Sequence, residues 1–390
     1  NMKKPKILLC VTGGIAAYKA IDLASQMKKL GWEIECILSA GAQEFVRPLS
    51  FEAIIGKKAH IHFWSDADPI PHIHLSDWAD LIVIAPATAN IMAKAAQGIS
   101  DDLLSATLLA HSKPLLFVPA MNVHMFENPA TQTNINILEQ RGHFVLSPDT
   151  GVLACGYAGK GKYPPNYEVI QAIKTYLHYS QDLKGIKVMV SAGATREAID
   201  PMRFISNRSS GKMGLALARA LALRGAEVCL IHGILNQPLP HYLYSITACE
   251  SAMEMKEAAV KLASDMDMIF MCAAVADYSP VHYNESKLPK QAELSLQLTQ
   301  TEDILAELGK IKKPGQILVG FSAQTDDNPD IARDKLHRKN LDLICMNRIS
   351  YAGMDDNEIT LIAACKKELP ILRGDKFSLA HQIVSATLGL

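Results

Sequence analysis

No run of about 18 consecutive apolar residues occurs in the chain, so nothing in it signals a transmembrane helix. An excess of one charge sign is also missing. The 39 basic and 40 acidic residues nearly cancel, leaving a net charge of −1. That balance argues against a general nucleic-acid binder but leaves room for a local anion site. The eight cysteines never form a CxxC pair. Most lie in apolar runs (Cys10, Cys36, Cys229, Cys272, Cys345), as buried free thiols do, and this suits a reducing cytoplasm better than a disulfide framework. Behind Asn1-Met2-Lys3-Lys4 there is no apolar core of a signal peptide, and Asn1 reads as an added residue. Internal repeats and low-complexity tracts are likewise missing. So are the two commonest nucleotide fingerprints: the first Gly-rich turn lacks GxGxxG, and no GxxxxGK[ST] occurs.

A chain of 390 residues exceeds one ordinary core and predicts two domains. The apolar pattern breaks into polar residues at 176–185 (YLHYSQDLKG), which sets the domains at 2–180 and 181–390. In the first, apolar runs at 6–11, 33–39, 81–85, 115–118 and 144–146 alternate with helical stretches. The first helix is expected to bury Ala17, Ile21, Ala24, Met27 and Leu30. In the second, strands at 187–190, 227–231, 267–272, 317–320 and 341–346 alternate with helices near 213–224, 251–264, 302–311 and 328–339. An added strand at 358–364 and a closing helix near 379–388 complete it. The reading is α/β, with two doubly wound parallel sheets in tandem.

Polar or turn residues succeed the strands of the first half: Thr12-Gly13-Gly14-Ile15, Ser39, Pro86-Ala87-Thr88-Ala89-Asn90 and Pro119-Ala120-Met121-Asn122. Strand ends converging on one sheet edge make a cofactor crevice. A hydroxyl at Ser39, where a dinucleotide site would carry an acid for ribose, favours a phosphate and thus a mononucleotide such as FMN. An ordinary tight turn with a helix cap is the alternative. His60, His62, His72 and His74 form two HxH pairs that would each face one side of a strand. No carboxylate or thiol stands at matching spacing, so no metal is assigned.

The second half is organised around residues 191–214, SAGATREAIDPMRFISNRSSGKMG, a long polar connection between a strand and a helix. Ser209, Ser210, Gly211 and Lys212 at the helix start offer hydroxyls, backbone N–H groups and a cation, which suits phosphate. Arg196, Arg203 and Arg208 add charge for a carboxylate or further phosphates. A surface loop that caps a helix is the alternative. After the third strand, Ala273 and Ala274 leave room for a ring or backbone, and Asp277 is placed to accept from a base or sugar or to cap a helix. Lys335 and Lys339, at i,i+4, would present two ammoniums on one helix face, either to a triphosphate or to solvent.

These residues also carry family resemblances. The stretch DPMRFISNRSSGKMG resembles the signature of phosphopantothenate–cysteine ligases, and the likeness runs through most of residues 185–390. The motifs TGGIAAYK (12–19), APATAN (85–90), PAMN (119–122) and ACG (154–156) resemble the flavin-dependent cysteine decarboxylases over about residues 5–175. Together they resemble the bifunctional fusions of coenzyme A biosynthesis.

That resemblance implies FMN in the first half, with Gly13, Gly14, Ile15, Ser39, Pro86, Ala87, Thr88 and Asn90 around it. His72 of HIHLSDWADL would handle protons, Asn122 would anchor a carboxylate, and Cys155 would donate a proton. The family continues from its cysteine with GxGR, where this chain has Gly161-Lys162 and then Tyr163-Pro164-Pro165, and Lys lacks the bidentate fork of Arg. In the second half the resemblance implies CTP, with Mg²⁺ on its phosphates. Asn207 would serve the acyl-nucleotide stage and Arg203 would hold phosphopantothenate. Asp277 of AAVADY, Lys287 (with Lys290 as rival), Phe321 of GFSAQ, Lys335 and Lys339 would join Ala274 and Ser209 to Lys212 around the nucleotide. L-cysteine is the remaining substrate. A cytoplasmic dodecamer, with trimeric flavin sites and dimeric ligase halves, completes the expectation, without nucleic-acid or membrane partners. A nicotinamide oxidoreductase and a non-catalytic member of the flavoprotein family are the competing readings.

Overall fold

A computed structural model describes residues 4–64, 68–154, 156, 158–290, 294–324, 329–348, 356–365 and 369–390. Chain contacts divide it into two units, Asn1–Ser180 and Gln181–Leu390.

The first unit holds β1 (Lys6–Val11), β2 (Glu33–Leu38), β3 (Leu81–Ala87), β4 (Leu115–Pro119) and β5 (Phe144–Val145), in the order β2-β1-β3-β4-β5. Every pairing is parallel. The near-continuous apolar runs of β1, β3 and β4 result from this, because helices cover both faces of such a sheet. The strand order reverses between β1 and β3, and an open sheet places its crevice there, beyond the strands' carboxyl ends. The first helix, Ala17–Lys29, buries Ala17, Ala20, Leu23, Ala24 and Met27. The buried stripe is therefore rotated from the expected one. Ile21 is only half-buried on its flank, and Leu30, past the helix end, is exposed. After β5 a two-stranded antiparallel ribbon, β6 (Asp149–Val152) and β7 (Ala158–Lys162), stands apart from the sheet.

The second unit contains β8 (Lys187–Ala192), the ribbon β9 (Arg196–Ala198) and β10 (Phe204–Ser206), then β11 (Glu227–His232), β12 (Ser245–Ala248) and β13 (Met268–Met271). A second ribbon, β14 (Tyr278–Pro280) and β15 (Leu298–Gln300), comes next, and then β16 (Ile317–Gln324), β17 (Leu343–Arg348), β18 (Asp356–Ala363) and β19 (Leu372–Asp375). The main sheet runs β12-β11-β8-β13-β16-β17-β18-β19. From β12 to β17 the pairing is parallel, in the doubly wound order that reverses between β8 and β13, while β18 and β19 add antiparallel strands at one edge. The edge strand β12 was not expected from the sequence. Its side chains are largely exposed and give no apolar run to read.

The described cysteines are free. Cys10, Cys36 and Cys345 lie within strands, where burial pushes their thiols up and leaves them unreactive. Among the described residues, no helix is long and apolar enough to cross a membrane.

Candidate active sites

In the first unit a cavity of about 470 Å³ opens at the β1/β3 reversal. Gly13, Gly14, Ile15, Pro86, Thr88 and Asn122 line it, together with Met121, Val152, Leu153 and Ala154. Thr12, 3% exposed, joins its two lips. The Thr12 hydroxyl donates to the Pro86 carbonyl (2.6 Å) and accepts from the Thr88 N–H (3.1 Å). Thr88 in turn caps the helix Ala89–Gln97 by accepting from the Ile91 N–H. Gly13 must be glycine, because a Cβ there would lie 2.7 Å from the Gly41 carbonyl carbon; around Gly14 a Cβ would meet only open space.

The β6–β7 ribbon forms the outer wall. The Met121 N–H donates to the Gly161 carbonyl (3.0 Å). Side chains on the ribbon glycines would prevent this approach: a Cβ on Gly159 would fall 2.6 Å from Val123 Cγ2, and one on Gly161 2.3 Å from the Met121 carbonyl oxygen. The Asn122 carboxamide oxygen accepts from the His124 N–H (2.9 Å), which fixes its side chain at the cavity.

Not every expected residue is brought to this cavity. Ser39 caps the short helix Ala40–Gln43 by accepting from the Ala42 N–H, and neither it nor Ala87 nor Asn90 is in the lining. His72 lies on the helix Pro71–Trp78, its ring stacked on Phe63 at 5.3 Å, and does not reach the cavity of its own chain. Its Nδ1 is buried with no hydrogen-bond partner among the described residues. The expected strand geometry of the HxH pairs fails for His72 and His74, because residues two apart on a helix diverge. His60 bonds Glu35 and His74 bonds Asp68 instead. Cys155 lies outside the described residues, although its neighbour Ala154 lines the cavity.

In the second unit the long loop closes over the β8/β13 reversal. The Ala274 N–H donates to the Gly193 carbonyl, and the Thr195 N–H donates to the Ala274 carbonyl. The buried Thr195 hydroxyl accepts from the Ala276 N–H (2.9 Å), and the Ser206 hydroxyl donates to the Thr195 carbonyl (2.7 Å). Asn207 Nδ2 donates to the Val275 carbonyl (3.0 Å). These bonds bring Asn207 beside the segment that carries Ala274 and the exposed Asp277.

Gly211, at φ +70°, starts the helix Lys212–Leu223 with no side-chain cap. The Ser209 hydroxyl accepts from the Gly211 N–H (3.2 Å), and that of Ser210 faces the Lys212 N–H at 3.5 Å. A Cβ on Gly211 would clash with Leu235 Cδ2, and one on Gly214 would lie 2.5 Å from the Ala192 Cβ, so the helix start packs directly on the strand end.

Three cations differ from expectation in what they touch. Arg203 is engaged inside the protein: its Nε lies 2.9 Å from Asp200 Oδ2, close enough for an ion pair at an angle outside a hydrogen bond, and its Nη2 donates to the Leu288 carbonyl. Asp200 also accepts from the N–H groups of Met202, Arg203 and Leu288. This clasp ties the loop to the segment bearing Lys287 and Lys290, both exposed. Lys339 is not on an open face; it is ion-paired with Asp303 at 2.6 Å. Lys335 is half-buried, and its Nζ donates to the Phe321 carbonyl (3.3 Å). Burial pushes the Lys335 ammonium down, Lys339 adds to this, and Asp303 and Asp277 act against it. Lys335 thus feels the charge of Asp277, on the neighbouring strand end. The bonds from Thr12 to Pro86, Thr195 to Ala276, Asp200 to Leu288 and Asp303 to Lys339 had no signal in the sequence, because these partners are distant in the chain.

Residues 1–178 match the family model described as "Flavoprotein", and residues 183–389 match the one described as "DNA/pantothenate metabolism flavoprotein C-terminal domain". The Coenzyme A biosynthesis bifunctional protein CoaBC of Bacillus subtilis is 42% identical over 395 residues, covering 98% of this chain and 97% of that protein. The chain belongs to this bifunctional coenzyme A biosynthesis family. The Haemophilus influenzae relative of the same description is 42% identical over 364 residues, 91% of this chain and 90% of that one. A solved chain described as the C-terminal domain of Coenzyme A biosynthesis bifunctional protein CoaBC aligns at 35% identity with TM-score 0.46, over 53% of this chain and 96% of that one. Within the bifunctional family, the two matched models fall on the two structural units, so each cleft has its own fold and its own switch point.

Proposed function

We propose that the chain converts 4′-phosphopantothenate to 4′-phosphopantetheine in two steps of coenzyme A biosynthesis. The second unit ligates the acid to L-cysteine with CTP, and the first decarboxylates the product with FMN. The observation that carries this reading is the near-full-length match to bifunctional relatives in a chain with two separate strand-end clefts.

A carboxylate is a poor electrophile and needs activation. Attack of phosphopantothenate on the α-phosphorus of CTP forms the acyl-cytidylate and releases pyrophosphate; the cysteine amine then displaces CMP. The helix start at Gly211 and Lys212, whose N–H groups face the hydroxyls of Ser209 and Ser210, suits the triphosphate. Lys335 and Asp277 flank it, Phe321, Lys287 and Lys339 complete its surroundings, and Mg²⁺ would supply further countercharge to its phosphates. Asn207, held beside Val275, donates to the acyl phosphate without adding negative charge. Arg203 reaches phosphopantothenate at the rim of the clasp.

The first cavity fits a flavin: apolar walls at Met121, Val152 and Leu153 suit a planar ring, and the glycine turn before the first helix suits a phosphate. FMN bound there would supply a two-electron sink for transient oxidation of the cysteinyl CH₂–SH, the electron sink that an α-amido carboxylate lacks for losing CO₂. Asn122 holds the substrate carboxylate, and Cys155 supplies the proton that completes the reduction. His72 handles protons for a neighbouring copy. Its position outside its own chain's cavity and the exposed Phe45, Leu49 and Trp64 support a flavin site completed between copies, as in a trimer within a dodecamer.

The test is the product of purified protein given phosphopantothenate, cysteine, CTP and Mg²⁺. Pyrophosphate, CMP, CO₂ and phosphopantetheine are expected, with FMN released on denaturation. Cys155→Ser should stop at the decarboxylated enethiol, and Asn207→Asp should accumulate acyl-cytidylate after pyrophosphate release. A protein that takes up no flavin and forms no amide sinks the reading.

A further inference from the structure

Two ammonium groups that this chemistry leaves unused line the first unit's cavity. Lys19 comes from the helix Ala17–Lys29 and Lys162 from the end of β7. The two elements are held in register by Tyr163. Its buried hydroxyl donates to Asn166 Oδ1 (3.0 Å), and Asn166 Nδ2 donates to the Lys19 carbonyl (3.1 Å) and to Asp22 (2.8 Å). Lys19 Nζ sits 5.6 Å from the Tyr163 ring centroid. Among the described residues, neither ammonium takes part in an ion pair or hydrogen bond.

Burial pushes the Lys19 ammonium down, the charge of Lys162 pushes it further, and Asp149 offsets them in part. Lys19 is half-buried and Lys162 exposed at the cavity wall; two cations lining one cavity repel each other, and a dianion between them relieves that repulsion. Tyr18 and Lys19 also wall a second groove of about 380 Å³, reaching Asp22 and Pro165, so a long ligand arm leaving the cavity can pass the Lys19 ammonium.

We propose that Lys19 and Lys162 form a clamp for a phosphate monoester dianion. The clamp rests on the flavin-decarboxylase reading, under which two such groups meet in this cavity: the phosphate of FMN and that of the phosphopantothenoyl arm. One ammonium belongs to the sheet-packed helix and the other to the ribbon, so the bound anion also draws the ribbon inward. Two single-point donors on separate elements thereby replace a bidentate guanidinium on one.

The test uses the full chain with Lys19→Gln, Lys162→Gln and the charge-preserving Lys162→Arg. The control is Lys160→Gln, whose ammonium lies over the Phe126 ring and does not line the cavity. In one arm, flavin-stripped protein is titrated with FMN and with riboflavin by flavin fluorescence. In the other, FMN-loaded protein is titrated with phosphopantothenoylcysteine and with pantothenoylcysteine by calorimetry. Lys19→Gln and Lys162→Gln should each weaken one phosphorylated ligand by roughly tenfold or more while sparing its dephosphorylated counterpart. The loss should shrink at high salt, and Lys162→Arg and Lys160→Gln should stay near the parent. A selective loss for FMN assigns the clamp to the cofactor, and one for phosphopantothenoylcysteine assigns it to the substrate. If both members of each pair respond alike, or neither arm responds, the clamp is overturned while the flavin reading stands. If the parent binds neither FMN nor substrate, that reading falls and the clamp falls with it.

Discussion

Replacing Thr12 with Val tests the idea that one buried hydroxyl holds the lips of the flavin cavity together. Valine has nearly the same volume, so no void opens, and the change isolates hydrogen bonding. It orphans the Pro86 carbonyl, which accepts at 2.6 Å, and the Thr88 N–H, which donates at 3.1 Å. Each unsatisfied buried group costs about 1–3 kcal/mol. Thr88 is only partly buried and the Pro86 carbonyl keeps a second lone pair, so the lower half applies, giving about 2–4 kcal/mol together. At a urea slope of about 2 kcal/mol/M this lowers the midpoint by roughly 1–2 M. The three tryptophans, Trp32, Trp64 and Trp78, all fall in the first unit, so their fluorescence reports that unit's unfolding without interference from the second. FMN affinity should fall in parallel, because the lips it contacts are no longer joined, and Thr12→Ser should recover most of both losses. A Thr12→Val protein with parental urea midpoint and FMN affinity would refute the reasoning.

Gly161→Ala places a Cβ 2.3 Å from the Met121 carbonyl oxygen at φ +147° and should cost about 1–3 kcal/mol while weakening flavin binding. Gly142→Ala, at φ +87° with open space around it, should cost only about 1 kcal/mol and leave flavin binding alone, as paired urea melts and flavin titrations will show. Asp303→Asn keeps an acceptor able to cap the helix Ile304–Ile311 but removes the charge facing Lys339. Burial raises the Asp303 carboxyl, yet the Lys339 hydrogen bond and the Ala306 N–H outweigh it and hold the folded value below 3.8. The stabilisation is therefore full above that ordinary value and lost as pH falls through the depressed one. With the carboxylate part-exposed the loss at neutral pH should be about 1 kcal/mol or less, and variant and parent melts should converge in strong acid. Lys335→Met should raise the melting temperature at pH 7 while weakening CTP binding, because the folded ammonium is pushed below 10.5. The parent's penalty is full below that depressed value and fades as pH climbs towards 10.5, so the two melting temperatures should approach each other in alkali; a gap that widens would contradict the assignment.

Local chemistry in the chain already determined where most of the core strands lie and which polar turns succeed them. Apolar runs such as residues 6–11 and 115–118 need burial on both faces, and Gly13-Gly14 or Ser209-Ser210-Gly211 cannot continue a strand, so the alternation and its polar edge were legible. The motif order from Thr12 to Lys339 was legible as well, being a property of the linear chain. Tertiary structure alone decided who meets whom. The strand orders place β1 beside β3 and β8 beside β13, which brings Thr12 to Pro86 and Thr195 to Ala276. Arg203 and Lys339 looked available to a ligand because what orients their carboxylates is tertiary: Asp200, three residues before Arg203, is held by the N–H groups of Met202, Arg203 and the distant Leu288, and Asp303 comes from another helix start. His72 kept its residue type in the motif but not a place in its own chain's cavity, because the helix Pro71–Trp78 is packed by Leu75 and Ser76 with the imidazole left on its flank. A side chain's partner depends on distances across the fold, and those are set by strand order and helix packing rather than by the residues beside it in the chain.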